Sequence, residues 1–313
     1  MIKLALIGPG IWGKNYLSTV SKMHECQITH IVARTEKSLS QFPDFYKKTI
    51  RYQELLDEKD IDGVIIATPA VSHFQITSAF VKQNIPVLIE KPVLISATEA
   101  SRLNQIISRG RSVVMAGHIF TYHPAFQKLL DLYKDIGTLQ YVESIGCDWG
   151  PLRTDISALW DWLPHDASMC LKLFHREPDE VTAWALGTGK KVKIRNFDMV
   201  WIRLRFQKKI PVFIKIGSLS PVKTRSFKVV GTKGSIVFDD TKSEKLQIFQ
   251  PPKMKSVPFS QTTPLENELS EFVRRINNKR GDTDIPDIIK VTNIIEAVQS
   301  ALITGKSIYT QIT

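Results

Sequence analysis

The stretch that most constrains this chain runs from Met1 to Asn15. Ile2-Lys3-Leu4-Ala5-Leu6-Ile7 is an apolar run of strand length, and it leads directly into Gly8-Pro9-Gly10-Ile11-Trp12-Gly13. Helical spacing through Tyr16, Leu17, Val20 and Met23 follows. A strand, a G-x-G-x-x-G turn and a helix in that order open a dinucleotide-binding fold. Gly8 permits the tight turn, Gly10 lets a pyrophosphate approach the backbone, and Gly13 lets helix and strand pack closely. The helix N-terminus presents unpaired N–H groups and a positive dipole end to phosphates. The cofactor-contact candidates here are Gly8, Gly10, Ile11, Trp12 and Gly13. Without its flanks the glycine pattern would mark only a turn.

Gln27 to Ala33 reads as a second strand. In this fold an acidic residue about 20 positions beyond the glycines holds the adenine ribose diol. That position is Ala33, and Arg34, Thr35 and Lys37 follow it. Arg34 can pair with a 2′-phosphate through a charge-assisted hydrogen bond of roughly 1.5–3 kcal/mol, which favours NADP(H) slightly over NAD(H). Alternatively Arg34 stacks on adenine and accepts either cofactor. Tyr52 to Lys59 reads as a short helix. Asp62 to Thr68 is an almost wholly apolar parallel strand ended by Thr68-Pro69, whose loop faces the cofactor crevice. His73 opens the next helix, as a ligand contact or as a structural residue. Ile85 to Pro92 is the following strand, with Glu90-Lys91-Pro92 at its tip. Pro92 holds Lys91 extended on the crevice side, a candidate for chemistry. Ser96 to Ile107 is helical, and Val113 to Gly117 closes the sheet.

The second half has a different pattern. A helix from His123 to Tyr133 precedes a strand from Leu139 to Gly146. Val200 to Phe206 alternates, as do Val212, Ile214 and Ile216. Phe227–Val230 and Ser235–Phe238 flank Gly231-Thr232-Lys233-Gly234, a hairpin signal. This is antiparallel sheet. Lys242 to Pro264 reads as a loop around one strand, Leu246 to Phe249, and helices Pro264–Asn277 and Asp287–Thr304 finish the chain. The expected organisation is an α/β Rossmann domain over 1–122 and an α+β domain over 123–313. The latter serves substrate binding and oligomerisation, and the C-terminal helix is able to pack back on the Rossmann domain.

Composition narrows the function classes. The net charge is +11, but Lys and Arg are spread along the chain with no basic block or nucleic-acid motif. A basic surface of this kind aids solubility or attracts anionic ligands. No run reaches the roughly 18 apolar residues of a membrane span. A strand beginning at residue 2 leaves no room for a signal peptide. The three cysteines, Cys26, Cys147 and Cys170, form no C-x-x-C, which suits a reducing cytosol and argues against a zinc site. No nucleic-acid or membrane partner and no metal are expected.

Leu159 to Ser168, LWDWLPHDAS, is the other informative stretch. Pro164 favours the first turn of a helix whose apolar stripe is Ala167, Cys170, Leu171 and Phe174. His165 lies off that stripe. In a first turn it would feel the positive dipole end and stay neutral, able to accept a proton; the alternative is a histidine that caps or packs. Tyr122, His123, Trp149, Arg153 and Trp162 could build a sugar pocket, since aromatics cover apolar sugar faces and Arg holds anions.

These pieces taken together resemble the Gfo/Idh/MocA family of NAD(P)-dependent oxidoreductases. The matching motifs are Gly8 to Asn15, Ala67-Thr68-Pro69 with His73, Glu90-Lys91-Pro92, Gly117-His118 with Phe120, and Trp160 to Leu173. The resemblance implies a Rossmann domain followed by a large open, mostly antiparallel sheet. It also implies a catalytic set of Lys91, Asp161 and His165, the last two with the family's four-residue spacing. Substrate contacts would come from Tyr122, Arg153, Trp162 and His165, and cofactor contacts would include Arg34, Thr68, Pro69, His73, Glu90 and Lys91. The implied activity is hydride transfer between NAD(P) and a secondary alcohol or ketone of a sugar, sugar nucleotide or polyol. The cysteine usage points to the cytoplasm, and Trp201 and Phe213, opposite the apolar faces of their strands, point to a homodimer or homotetramer. Two other readings remain at this stage. One is a family member that uses bound NAD(H) transiently in sugar elimination or glycoside cleavage. The other is a non-catalytic dinucleotide-binding protein.

Overall fold

The apolar run at the N-terminus forms β1 (Ile2–Ile7) in the computed structural model of the chain, which describes residues 1–107, 112–150, 156–186, 199–278 and 282–310. It pairs in parallel with β2 (Cys26–Val32) and, through β3 (Lys47–Thr49), β4 (Gly63–Ile66), β5 (Val87–Glu90) and β6 (Val114–Gly117), builds a six-stranded sheet. The strand order is β3-β2-β1-β4-β5-β6, with every neighbour parallel. Strands covered on both faces need continuous apolar runs. Val64, Ile65 and Ile66, and Val87, Leu88 and Ile89, are fully buried. The order reverses between β1 and β4, so their carboxyl ends flank the switch point where open α/β sheets bind ligands. The helices of this half are α1 (Ile11–Val20), α2 (Glu36–Leu39), α3 (His73–Lys82) and α4 (Ala97–Ile107). The short helix expected at Tyr52 is a 3-10 segment, Tyr52–Leu56.

α5 (Pro124–Leu132), β7 (Leu139–Trp149) and α6 (Ala158–Phe174) lead into β8 (Glu180–Leu186), β9 (Met199–Phe206), β10 (Ile210–Gly217), β11 (Leu219–Gly231), β12 (Gly234–Asp239), β13 (Leu246–Gln250) and β14 (Lys253–Ser256). With β15 (Ile308–Tyr309) the strands form a nine-stranded sheet in the order β14-β13-β12-β11-β7-β10-β9-β8-β15. Only the β7–β10 pair is parallel. Gly231 faces Gly234 across the β11–β12 turn. The segment 242–264 holds a second strand, β14, beside the expected one. Its four residues are all exposed and carry two lysines, so no apolar alternation marks them. One face of the sheet is apolar: Ile202, Leu204, Phe206, Val212, Ile214 and Ile216 are buried, and Phe174 of α6 stacks on Phe206 with ring centroids 4.1 Å apart. The opposite face exposes Trp184, Trp201 and Phe213. Trp184 and Trp201 stand directly across β8 and β9.

Two helices follow β14: α7 (Pro264–Asn278) and α8 (Ile285–Thr304). The chain divides into two compact units, Met1–Ile119 with Thr262–Ile289 and Phe120–Gln261 with Lys290–Thr313. The first unit thus includes α7, whose buried stripe is Leu265, Leu269, Phe272, Val273 and Ile276. Residues 282–284 run beside β6: the Val114 N–H donates to the Asp282 carbonyl, and the Asp284 N–H donates to the Val114 carbonyl at 2.8 Å. That covers an otherwise open sheet edge. From Lys290 onward α8 joins the second unit's core through Val291, Ile294, Ile295 and Val298. Among the described residues no helix is long and apolar enough to cross a membrane.

Phe206 is fully buried beneath α6. Phe206→Ala is expected to destabilise the second unit by about 3–5 kcal/mol. Urea denaturation followed by tryptophan fluorescence reads this, because of the six tryptophans only Trp12 lies in the first unit.

Candidate active site

In the first unit the turn after β1 is built from backbone contacts. Gly8 has φ +94°, and a Cβ there would sit 2.7 Å from the Ala67 carbonyl oxygen. A Cβ on Gly13 would collide with the Gly8 carbonyl. A Cβ on Gly10 would meet nothing within 4 Å. Gly10 is also the N-cap of α1 and supplies no side-chain cap, which leaves the first-turn amides to other acceptors. Ile11 and Trp12 are exposed beside it. An open approach to a helix N-terminus at the sheet's switch point fits a dinucleotide pyrophosphate.

The turn connects to the tip of β5. The Trp12 indole N–H donates to Glu90 Oε1. The Tyr16 hydroxyl lies 2.6 Å from the same oxygen and 2.9 Å from Glu268 Oε1 on α7. The Lys91 backbone N–H donates to Glu90 Oε2 at 3.0 Å. Glu90 is 7% exposed, Glu268 fully buried. Burial pushes the Glu90 carboxyl up to about 7, against the hydrogen bond from Tyr16, the Lys91 charge and the Trp12 hydrogen bond. Burial, and then the neighbouring Glu90, hold Glu268 well above the usual carboxylate range. The Lys91–Pro92 peptide is cis.

His73 is 1% exposed, and both ring nitrogens face backbone carbonyls, Nδ1 with Pro92 at 3.0 Å and Nε2 with Thr68 at 2.8 Å. Its imidazole is thus taken up in holding the ends of β4 and β5 together. Any part it plays toward a dinucleotide goes through Thr68 and Pro92. The Thr68 hydroxyl accepts from Ser72 Oγ at 2.8 Å, and Pro69 is exposed next to it. Arg34 is exposed just beyond β2, where Thr35 caps α2 by accepting from the Ser38 N–H.

The second unit carries Asp161 and His165 one turn apart on α6. Here the sequence expectation needs correcting. α6 begins at Ala158, so Pro164 lies inside the helix and His165 beyond its first turn. The dipole argument for a neutral His165 therefore does not apply; Asp161 occupies the first turn instead. The His165 ring stands edge-on to Phe120 with centroids 4.9 Å apart. Phe120 also meets Phe238, with centroids 6.5 Å apart, and Arg225, whose guanidinium lies 4.3 Å from the ring centroid. Arg225 Nη1 reaches both oxygens of Asp166, at 3.3 and 3.1 Å, and Ser144 Oγ donates to Asp166 Oδ1 at 2.5 Å. Both partners are buried, Asp166 completely. A Cβ on Gly146 would collide with Arg225. Trp162 and Tyr122 are half-buried, Trp149 is exposed, and Arg153 lies outside the described residues. His123 is committed to structure: its Nδ1 accepts from the Ala125 N–H at the start of α5, and its Nε2 faces Asp240 Oδ1 at 3.2 Å.

Sequence reasoning passed over Tyr16, Glu268, Phe120 as a ring partner, Asp166 and Arg225. Two of these carried a signal. Glu268 falls on the apolar stripe of α7 between Leu265 and Phe272, and Arg225 alternates onto the inward face of β11 with Phe227 and Val229. Among the described residues, His, Cys, Asp and Glu form no group of three that could hold a metal.

A parallel sheet in this order, with a glycine turn at its switch point, defines a Rossmann dinucleotide-binding unit. Residues 2–118 match the oxidoreductase family with an NAD-binding Rossmann fold, and residues 128–237 match the Gfo/Idh/MocA C-terminal domain. The chain belongs to the Gfo/Idh/MocA family of oxidoreductases. Over 146 residues it is 31% identical to UDP-N-acetylglucosamine 3-dehydrogenase of Acidithiobacillus ferrooxidans, a match covering 46% of this chain and 45% of that protein. It is 22% identical to the scyllo-inositol 2-dehydrogenase (NADP(+)) of Bacillus subtilis, over 75% of this chain and 68% of that one. The crystal structure of a myo-inositol dehydrogenase from Corynebacterium glutamicum shares the fold, with a TM-score of 0.84 over 100% of both chains at 20% identity.

Burial lowers the basicity of His73 despite its carbonyl neighbours. A histidine whose folded value lies below its unfolded one contributes stability above the unfolded value of 6.5 and loses it as pH falls through that value. Glutamine cannot titrate. The difference in melting temperature between wild type and His73→Gln is therefore expected to shrink as pH is lowered from about 7.5 to about 5.5, as calorimetry would show.

Proposed function

We propose that the protein is an NAD(P)-dependent dehydrogenase acting on a secondary alcohol, or the corresponding ketone, of a sugar, sugar nucleotide or polyol. The observation that carries this reading lies in the first unit. The glycine turn and the Glu90-Lys91 tip share one hydrogen-bonded scaffold, because Trp12 of the turn donates to Glu90 and Glu90 accepts from the Lys91 backbone. A dinucleotide-binding turn and a lysine suited to proton chemistry are thus fixed relative to each other. The names of the relatives support the substrate class. Completeness of the set Lys91, Asp161 and His165 supports alcohol–ketone redox.

A bound nicotinamide supplies the hydride acceptor. The chain's own residues handle the proton and the oxygen. His165 takes the hydroxyl proton as general base. Lys91 donates a hydrogen bond to the oxygen as negative charge develops there. Asp161 orients His165 or contacts a neighbouring hydroxyl. Arg34 pairs with a 2′-phosphate and so favours NADP(H). The basic balance of the chain favours an anionic sugar or sugar nucleotide.

The test is a substrate screen over sugars, sugar nucleotides and inositols, together with a binding titration of NADPH and NADH. Lys91→Ala and His165→Ala are expected to lower turnover by about 10²–10⁴-fold with cofactor affinity kept. Arg34→Ala is expected to weaken NADPH about tenfold or more and to leave NADH nearly unchanged. Full turnover in His165→Ala would sink the mechanism, and equal effects of Arg34→Ala on both cofactors would sink the preference.

The exposed aromatic face of the second unit's sheet suits self-association. Trp184 is 56% exposed, Trp201 39% and Phe213 47%, a clustering that marks interaction sites. The protein is expected to be a dimer or tetramer by light scattering at micromolar concentration. Trp201→Glu with Phe213→Glu should shift it toward monomer, and a wild-type monomer would contradict this assignment.

A further inference from the structure

A phenol carries one proton and can donate it along one hydrogen bond at a time. The Tyr16 hydroxyl nevertheless sits between two buried carboxyl groups, 2.6 Å from Glu90 Oε1 and 2.9 Å from Glu268 Oε1. Both contacts can be hydrogen bonds only if a second proton is present, and it must sit on one of the carboxyls. Two ionised carboxylates sharing a single phenol proton would face each other in a buried site, a costly arrangement.

The surroundings decide which carboxyl holds the proton. Glu90 is surrounded by donors: the Trp12 indole, the Tyr16 hydroxyl and the Lys91 backbone N–H. Each of these favours its ionised form. Among the described residues Glu268 has the Tyr16 hydroxyl at Oε1 and no second donor. Its Oε2 lacks any hydrogen-bond partner, as suits the carbonyl oxygen of an un-ionised acid. The charged and titratable groups that act on it are Glu90 at the end of β5, Tyr16 on α1 and Asp284 ahead of α8. Arg275 is already committed to Glu271 at 2.7 Å and to Asp284 at 2.8 Å. Among the described residues no cation lies within ion-pairing distance of Glu268.

We propose that Glu268 carries a proton at neutral pH and donates it to Tyr16, and that this un-ionised carboxyl is a positioning residue that holds Glu90 ionised behind Lys91. The chain of donation runs from Glu268 to Tyr16 to Glu90, and Glu90 in turn anchors the Lys91 backbone. A residue 178 positions beyond Glu90 thereby fixes the strand tip at which the candidate catalytic lysine sits. The kinetic half of this assignment rests on the function proposed above, whereas the protonation half does not.

The test separates the two halves. In the infrared difference between wild type and Glu268→Gln at neutral pH, the carbonyl stretch of an un-ionised carboxylic acid should belong to wild type alone. A native carboxyl whose value is raised holds a proton that the unfolded chain releases above about 4.5, so its stabilisation is lost as pH rises from there toward the folded value. Glutamine keeps the donor and does not titrate. The melting temperature of Glu268→Gln relative to wild type should therefore climb as pH increases from about 5 to about 8. Absence of the band, or a difference independent of pH, overturns the protonation assignment whatever the enzyme's activity. For positioning, Glu268→Ala should lower kcat about tenfold, Glu268→Gln should restore most of that loss, and Glu90→Gln, which places an amide among donors, should not be tolerated. Equal kcat in Glu268→Ala and wild type, or failure of glutamine to rescue, overturns the positioning role. Should Lys91→Ala prove fully active, the proposed function fails while the infrared result stands.

Discussion

Three backbone segments of the first unit lie so close that no side chain fits between them. Gly13 rests on the Gly8 carbonyl, and Gly8 rests on the Ala67–Thr68 peptide. This contact sets the height of α1 above the sheet. With the helix that low, Trp12 and Tyr16, four residues apart and therefore on one face, both reach Glu90. A Cβ at Gly13 would lift α1, and both contacts would lengthen together. The glycine pattern therefore does more than admit a phosphate. It also brings the buried carboxyl cluster into register with the tip of β5, and His73 ties that tip to the end of β4 through Pro92 and Thr68.

The second unit meets a comparable demand in another way. Asp166 follows His165 on α6 and is fully buried, so its charge needs an answer within the unit. Arg225 provides it from β11, and Ser144 adds a hydroxyl from β7. The guanidinium also lies over Phe120, whose ring meets the edge of His165. One cation thus braces the covalent neighbour of His165 and its ring neighbour. Removing one partner of such a buried pair leaves an uncompensated charge, at about 3–5 kcal/mol. A Cβ at Gly146 would fall against Arg225 Nη1, so the guanidinium would have to shift to admit it.

Much of this could be read along the sequence, and what could not has definite causes. The six parallel strands declare themselves as apolar runs except β3, whose Lys47-Lys48-Thr49 lies on an edge and needs no apolar side chains. β14 and β15 escape for the same reason, being short, polar or terminal. Pro164 suggested a helix start because proline lacks the N–H that an interior position uses. The helix nevertheless extends back to Ala158, since Leu159 and Leu163 continue its buried face through the proline. The partners of the candidate site residues were the hardest to find. Glu268 and Arg225 each occupy a core-facing slot in an otherwise apolar pattern, which marks them as unusual. Nothing local, however, says that one meets Tyr16 or that the other meets Asp166, because those contacts span 252 and 59 residues.

The two buried clusters differ in how they settle their charge, and the difference bears on what each can do. Asp166 is paired with a guanidinium, whose Nη1 reaches both of its oxygens. It acts as a rigid support beneath α6. Glu90 and Glu268 have no such cation between them, only the charge of Lys91 and a set of hydrogen bonds. Their charge is settled by a proton, which can be gained or lost. The ion pair braces α6 from within its own unit, and the proton-holding pair braces the tip of β5 from within the other.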